Sequence, residues 1–119
     1  MSSLDPTWVE RQADISHHPQ SIRIGPVDYQ IVVVENLISD DQKLNGQIMY
    51  NPSVIKLDED MGPQMTRKVL WHETLHAILT HAGIDNEPEN IVDALAYGII
   101  AILRDNPWMR ELVNNQDIP

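Results

Sequence analysis

The residues best suited to chemistry lie in one stretch, Val69 to Gly83, which contains the pattern His-Glu-x-x-His at His72, Glu73 and His76. Two histidines four residues apart on a helix lie one above the other, because each residue turns the helix by about 100°. Both rings therefore reach one metal ion from a single rigid element. The Glu73 carboxylate points to a neighbouring sector, where it can hold a water molecule on that metal. We predict Glu73 as catalytic base and the two histidines as metal ligands.

A third ligand is required, because a catalytic zinc ion usually has three protein ligands and one position for water. His81 lies nine residues after His72, about 180° around the helix, so we predict a solvent-facing residue there and not a ligand. Glu89 and Asp93 are better candidates, since their i, i+4 spacing puts both on the apolar face of a second predicted helix. Carboxylates on an apolar face are costly unless they pair with cations or bind a metal ion.

The roles of these two acidic residues stay open at this point. With Glu89 as the ligand, Asp93 can accept the free N–H of a ligand histidine. Asp93 is the alternative ligand. Glu89 also has a purely structural interpretation, in which Asn86 is the N-cap of the second helix and Glu89 completes a capping box. That interpretation leaves Asp93 unexplained, so both acidic residues stay candidates for the third ligand beside His72 and His76.

Composition limits the classes of function. A chain of 119 residues fits one domain, and the absence of cysteine fits a reducing compartment. Eight basic and eighteen acidic residues give a net charge of −10, which disfavours nucleic acid as a partner. No apolar stretch approaches membrane-spanning length, and the N-terminal residues lack the features of a signal peptide. We therefore expect a cytoplasmic protein with no membrane partner.

The first 20 residues differ from the rest of the chain in being polar and rich in proline for their length. We predict an N-terminal extension there, with a short helix that carries Trp8 and a loop that contains His17 and His18. Residues 21–119 are expected to form the single domain.

Several strands are predicted between residues 21 and 58. Residues 21–35 form a strand, a turn and a strand, and the β-branched run Ile31–Val34 favours a buried central strand. Asn36–Leu44 is predicted as a connection or a single helical turn. Gly46–Tyr50 and Ser53–Asp58 then form a hairpin, in which the alternating second arm suits a sheet edge.

Two long helices and one short one follow. The first has acidic residues and a proline near its start and ends at Gly83, a residue suited to a left-handed C-cap. The second, from about Pro88 to Arg104, is apolar over most of its circumference, so it is predicted to be largely buried. A last short helix lays Trp108 and Leu112 on the core. The fold class is α+β, with an antiparallel or mixed sheet of three to four strands on the two long helices.

The two long helices together resemble a known group of enzymes. His-Glu-x-x-His on one helix, followed by Glu89 and Asp93 on the next, resembles the gluzincin branch of the zinc metallopeptidases. The layout also resembles small phage-encoded proteins related to the ImmA/IrrE-type metallopeptidases, with Leu70–Ile78 and Glu89–Pro107 as the matching stretches. The first 20 residues are not covered. The chain departs from the metzincins, which need a glycine and a third histidine further along, since residue 82 is alanine.

The resemblance implies a minimal zincin that hydrolyses peptide bonds in a peptide or protein substrate, in the cytosol of a bacterial host if the gene belongs to a phage. By the same resemblance His72, His76 and Glu89 bind zinc, Asp93 supports a histidine, and Glu73 is the general base.

For such a peptidase, we expect the substrate backbone to pair as an antiparallel strand beside Ser53–Leu57. Tyr50 and Tyr97 are candidates to stabilise an oxyanion, but packing in the core is the stronger interpretation for each.

Two alternatives to a peptidase remain. One is a phage regulatory or structural protein that keeps zinc to stabilise its fold, for which a closed site with four protein ligands is expected. The other contains no metal and is a helical interaction domain, in which His72, Glu73 and His76 form hydrogen bonds within the core.

Overall fold

A computed structural model of the chain describes residues 20–114, which form a four-stranded mixed sheet, a two-stranded sheet and three helices. The strands are β1 (Ser21–Ile24), β2 (Val27–Val34), β3 (Ile38–Ser39), β4 (Gln42–Lys43), β5 (Gly46–Tyr50) and β6 (Ser53–Asp58). The helices are α1 (Pro63–His81), α2 (Glu89–Asp105) and α3 (Trp108–Asn114). The predicted α+β class is confirmed. The predictions for Trp8, His17 and His18 lie outside the described residues.

The larger sheet has the strand order β1-β2-β6-β5. β1 and β2 are antiparallel, β2 and β6 are parallel, and β5 and β6 are antiparallel. Ile31 and Val33 of β2 are buried, which confirms the predicted central strand. The Ile31 N–H donates to the carbonyl of Gln20 at 2.7 Å, so main-chain pairing starts one residue before β1.

Strand β6 was expected at a sheet edge, and this prediction is wrong. It lies between β2 and β5 and pairs with both. Alternation of polar and apolar side chains shows which face of a sheet is buried. The position of a strand within the sheet depends instead on its main-chain partners. The expected pairing of a substrate strand beside Ser53–Leu57 is wrong for the same reason, because both sides of β6 are occupied. The free edge nearest α1 belongs to β5.

The segment predicted as a connection or helical turn instead forms a small hairpin of β3 and β4. Asp40 and Asp41 make its turn with φ values of 52° and 62°, a left-handed region that Asp tolerates better than most residues. Beneath the hairpin, the buried Asp58 carboxylate accepts hydrogen bonds from the Leu37 N–H at 2.7 Å, Lys43 Nζ at 2.6 Å and the Asp60 N–H at 3.1 Å. Burial raises the pKa of Asp58, but these donors outweigh it and hold the pKa below its ordinary value.

Helix α1 lies between the sheet and α2. Pro63 is its first residue, as expected from the fixed φ of proline, and Gly83 follows its end with a φ of 81°. Val69 and Ala77 face the sheet core, whereas Leu75 faces α2. This double contact places the middle of α1 at the centre of the molecule.

Helix α2 was predicted to be largely buried, which is wrong. Only Val92 and Ala96 are buried, while Ile91, Leu95 and Ile102 are each more than 40% exposed. The helix packs on α1 along one side, and no described element covers the other. Packing against α1 therefore accounts for only some of the apolar residues of α2.

The packing predicted for the last helix is also wrong, since Trp108 and Leu112 of α3 are exposed and do not lie on the core. Among residues 20–114, no helix is long and apolar enough to cross a membrane.

We predict that Asp58→Asn lowers the free energy of unfolding by about 1.5–3 kcal/mol at pH 7, because the hydrogen bonds lose a charged acceptor. The folded-state pKa of Asp58 is lowered, so its stabilising effect is present above the ordinary value of 3.8 and is lost as the pH falls through the folded-state pKa. Urea unfolding at pH 7 and at successively lower pH should therefore show the difference from the wild type shrinking.

The control for this prediction is Asp60→Asn, because the Asp60 side chain is exposed. That variant should unfold like the wild type. Equal stability of the Asp58→Asn protein at pH 7 would contradict the role of this carboxylate.

Candidate metal centre

The candidate site lies where the start of α2 meets the middle of α1. A small apolar cluster holds this contact: Leu75 of α1 packs against the fully buried Val92 and Ala96 of α2. Glu89 lies beside the two predicted histidines, and Tyr97, two turns later, lies beside Lys68, so the helices run antiparallel. The same contact therefore sets the position of every acidic group on α2 that faces α1.

Three donor atoms meet at one point. His72 Nε2 lies 3.1 Å from His76 Nε2 and 3.1 Å from Glu89 Oε2, and His76 Nε2 lies 2.8 Å from Glu89 Oε2. These three donor atoms would hold a zinc ion between them. A regular tetrahedral zinc site spaces its ligands about 3.3 Å apart, slightly wider than this triangle. Within residues 20–114, this is the one group of three such side chains that could hold a metal ion.

Asp93 faces the far side of the His72 ring. Its Oδ1 lies 3.3 Å from His72 Nδ1, outside the triangle of donor atoms. A proton held on Nδ1 beside this carboxylate leaves the Nε2 lone pair free, which is the tautomer that a metal ligand needs. The geometry thus gives Asp93 a supporting position and gives Glu89 the position of the third donor.

Lys68 contacts the second carboxylate oxygen of Asp93, the one that does not face His72. Lys68 was not identified from the sequence. Its Nζ lies 3.3 Å from Asp93 Oδ2 and 4.6 Å from the centre of the Tyr97 ring. Burial lowers the pKa of Lys68, but Tyr97 and Asp93 outweigh this effect and raise the pKa above its ordinary value. The spacing could have identified Lys68, because a residue four positions before His72 lies on the same side of the helix.

Glu73 is buried beneath strand β5, with 8% of its surface exposed. Burial raises its pKa; the neighbouring His72 and His76 lower it, Glu89 raises it, and the net change is upward. A carboxyl group whose pKa is raised toward neutrality is suited to take up and release protons.

Gly46 of β5 makes this arrangement possible. A Cβ atom at Gly46 would overlap Val69 Cγ1 and lie 3.3 Å from Oε2 of Glu73. The strand can thus run against α1 only because this residue has no side chain. Between the strand and the two helices lies a cleft of about 260 Å³, whose lining includes Gly46, His72, Glu73 and Glu89.

The outer edge of β5 borders this cleft. The Asp58 N–H donates to the Asn45 carbonyl at 2.9 Å, so every second residue from Asn45 onward is bonded to β6. The main-chain groups of Gly46 and Ile48 consequently point away from the sheet, whereas the Tyr50 carbonyl accepts a hydrogen bond from Ser53 Oγ at 3.4 Å. Gly46 and Ile48 thus offer donors and acceptors beside the candidate metal centre.

Other predicted residues have different surroundings. The capping box is wrong, because α2 begins at Glu89 after Pro88 without a side-chain cap, and Asn86 has a φ of 63°. His81 is exposed as predicted, and its Nε2 lies 2.8 Å from the hydroxyl of the buried Tyr29, away from the donor triangle.

The core packing predicted for Tyr50 and Tyr97 is wrong, since both are exposed. The Tyr50 hydroxyl lies 3.1 Å from Thr80 Oγ1, and Thr80 is one helical turn beyond His76. Tyr50 therefore lies at the edge of the core, with its ring 6.3 Å from the ring of the buried Tyr29 and its hydroxyl on α1.

The predicted residues His72, Glu73, His76, Glu89 and Asp93 are thus brought together at the junction of α1 and α2. Comparison of the chain with models of protein families, with curated proteins and with solved structures found no match.

We predict that Gly46→Ala lowers the free energy of unfolding by about 1–3 kcal/mol, because the added methyl group forces β5 away from α1. The matched control is Gly98→Ala on α2, where a Cβ atom meets nothing within 4 Å and the substitution should stabilise the helix by up to about 1 kcal/mol. Denaturant unfolding of both variants measures the difference. Equal changes in the free energy of unfolding for the two variants would mean that β5 is not packed closely against Val69 and Glu73 of α1.

Proposed function

We propose that this chain is a zinc-dependent peptidase of the gluzincin type, with the packing of a minimal zincin. The observation that carries the proposal is the meeting of His72 Nε2, His76 Nε2 and Glu89 Oε2 within 3.1 Å of one another, beside the buried Glu73. Two imidazoles and one carboxylate are a ligand set typical of catalytic zinc. The substrate is a peptide or protein.

The number of donors favours catalysis over a structural zinc site. A closed structural site has four protein ligands, and the group in the described part of the chain has three. Asp93, the nearest further carboxylate, faces the Nδ1 side of His72 and so cannot close the site without a rearrangement. A zinc ion held by these three side chains would accept water or a substrate carbonyl as a further ligand.

The charges around the centre also suit a divalent cation. Glu73, Glu89 and Asp93 contribute three negative charges, and Lys68 contributes one positive charge that is already shared with Asp93. Glu73 is buried and Asp93 is half-buried, whereas Glu89 is exposed. Buried carboxylates are unfavourable unless a cation compensates them. A bound ion of charge +2 would bring these groups to balance.

When bound, zinc supplies a Lewis acid that polarises the substrate carbonyl and lowers the pKa of water. Glu73 accepts a proton from the attacking water as the new carbon–oxygen bond forms, and then delivers this proton to the leaving nitrogen as the carbon–nitrogen bond breaks. Asp93 keeps a proton on Nδ1 of His72 throughout.

The edge of β5 is our candidate for orienting the substrate. An extended peptide laid along it would bond to the outward main-chain groups of Gly46 and Ile48. This placement keeps a scissile carbonyl beside Glu73, because Gly46 lies directly over that residue. The cleft then receives a side chain of the substrate.

We predict that the wild-type protein, purified without a tag and loaded with zinc, cleaves members of a library of internally quenched peptides. Glu73→Gln should retain one zinc ion per chain and lose about 10²–10⁴-fold in rate, because the proton acceptor is removed while the ligands remain. Asp85→Asn, an exposed acidic residue in the loop before α2, is the control. Unchanged turnover in Glu73→Gln would remove Glu73 from the mechanism, and absence of zinc from the wild type would overturn the proposal.

Zinc affinity should report the arrangement around His72. We predict a loss of about 10–100-fold for Asp93→Ala, because the ring loses the group that fixes its tautomer. Lys68→Met should cause a smaller loss. Asp105→Ala at the exposed end of α2 should leave the affinity unchanged. Competition with a chromophoric chelator measures all three, and equal affinities of Asp93→Ala and Asp105→Ala would refute the supporting role.

If the substrate pairs with the edge of β5, only every second main-chain N–H of the substrate should matter for binding. Peptide substrates carrying one N-methyl group at successive positions should lose kcat/KM by about 2–10-fold at every second position, since only alternate N–H groups point toward the strand. A loss that shows no alternation along the peptide would exclude the edge of β5 as the binding element.

A further inference from the structure

A stripe of apolar residues on α2 faces neither α1 nor the metal centre. Ile91, Leu95 and Ile102 are 42%, 45% and 47% exposed, and Gly98 lies in line with them. On the helical wheel these four residues lie about 110° from the side that packs on α1 and about 150° from Glu89. We call them the α2 stripe. In the described part of the chain, its side chains are open to solvent.

Gly98 is the member of the stripe that the chain's own packing does not explain. Glycine inside a helix makes the helix less stable than alanine would. A Cβ atom at Gly98 would meet nothing within 4 Å, whereas one at Gly46 would overlap Val69. No neighbour among residues 20–114 therefore requires Gly98 to lack a side chain. The space above this residue is available to a side chain of another molecule.

The order of residues in the stripe suits pairing with a second copy of itself. From Ile91 to Ile102 the spacings are four, three and four residues, which read the same from either end. In an antiparallel pair of α2 helices related by a twofold axis, Leu95 of one copy therefore lies opposite Gly98 of the other. Ile91 lies opposite Ile102 in the same way. Each leucine thus meets a gap in the second copy, and each isoleucine meets an isoleucine.

The charge distribution also favours contact between two copies at the stripe. A net charge of −10 makes the copies repel each other over most of their surface. Between Ile91 and Ile102 the sequence contains one charged residue, Asp93, which faces His72 on another side of the helix. Two copies can therefore approach each other at the stripe with little local repulsion.

The size of the stripe indicates a weak dimer. The four residues span about 17 Å of helix. Exposed apolar residues lie beyond both ends of α2, with Ile84 before its start and Trp108 after its end. The antiparallel arrangement brings these opposite ends together, so both residues add to the contact. A standard interface has roughly 20–30 residues from each partner, and this smaller contact supports an association that depends on concentration.

We propose that two copies of this chain associate through their α2 stripes as an antiparallel dimer, with Leu95 of each copy over Gly98 of the other. The donor triangle stays outside the contact, because Glu89 lies on a different side of α2. The proposal is independent of peptidase activity.

Sedimentation equilibrium of the untagged full chain tests this association. The dimer should predominate at about 1 mM and the monomer at about 10 µM. Leu95→Gln and Gly98→Gln should each weaken association by at least about 10-fold, the first by removing the apolar side chain and the second by filling the gap. Ile38→Gln removes a similarly exposed apolar side chain from β3 and is the control, which should associate like the wild type.

Two further measurements keep this test specific. Glutamine favours a helix more than glycine does, so Gly98→Gln should unfold at no lower denaturant concentration than the wild type, which separates loss of the dimer from loss of the fold. Raising the NaCl concentration from about 0.05 M to about 0.5 M should strengthen the dimer, because it screens the repulsion between the two copies.

Disulfide trapping tests the antiparallel register. The protein has no cysteine, so each introduced thiol is unique. Ile91→Cys chains mixed with Ile102→Cys chains should form a linked dimer of the two variants. Either variant alone should link far less, since identical residues of the two copies lie about 17 Å apart, too far for a disulfide.

Four results would overturn the proposal. A chain that stays monomeric at about 1 mM would leave the stripe to a different partner. Association of Gly98→Gln equal to that of the wild type would place the contact elsewhere. Weaker association at high salt would indicate pairing of opposite charges. Preferential linking of Ile91→Cys to itself would show a parallel arrangement.

Discussion

The candidate site depends on the packing of α2 against α1. The contact is small and consists mainly of Leu75 against the fully buried Val92 and Ala96. A slip of α2 by one residue would move Glu89 about 1.5 Å along the helix and turn it by about 100°. Zinc ligands must lie within about 0.2 Å of their ideal distance. The apolar contact therefore determines whether a carboxylate of one helix meets the imidazoles of the other.

The junction of α1 and α2 also brings several charged side chains together. Glu73 is buried beneath β5, and Glu89 and Asp93 approach the histidines from α2. Lys68 compensates one of these charges and fixes Asp93, which in turn faces Nδ1 of His72. The chain thus assembles a centre that lacks positive charge at the point where its three donors meet. In the proposed function, a divalent metal ion at that point compensates these charges.

The sequence was informative where helical geometry alone decides the outcome. The spacing of His72 and His76 fixes their common side, and the i, i+4 spacing of Glu89 and Asp93 identified the acidic residues that face them. Positions within the sheet and the outer packing of α2 depend on partners distant in sequence. For this reason the central place of β6 and the exposed side of α2 were both predicted wrongly. Asn86 offered a capping pattern, but Pro88 directly precedes the first residue of α2 and the pattern is not used.

The central claim is that two imidazole nitrogens of α1 and one carboxylate oxygen of α2 bind the same ion. X-ray absorption at the zinc edge of the zinc-loaded wild type and of Glu89→Gln protein tests it most directly. We predict two imidazole ligands and two oxygen ligands in the wild type, at about 2.0–2.2 Å, with the Glu89 oxygen lost or replaced by water in the variant. A spectrum with fewer than two imidazoles, or one unchanged by Glu89→Gln, would contradict this account.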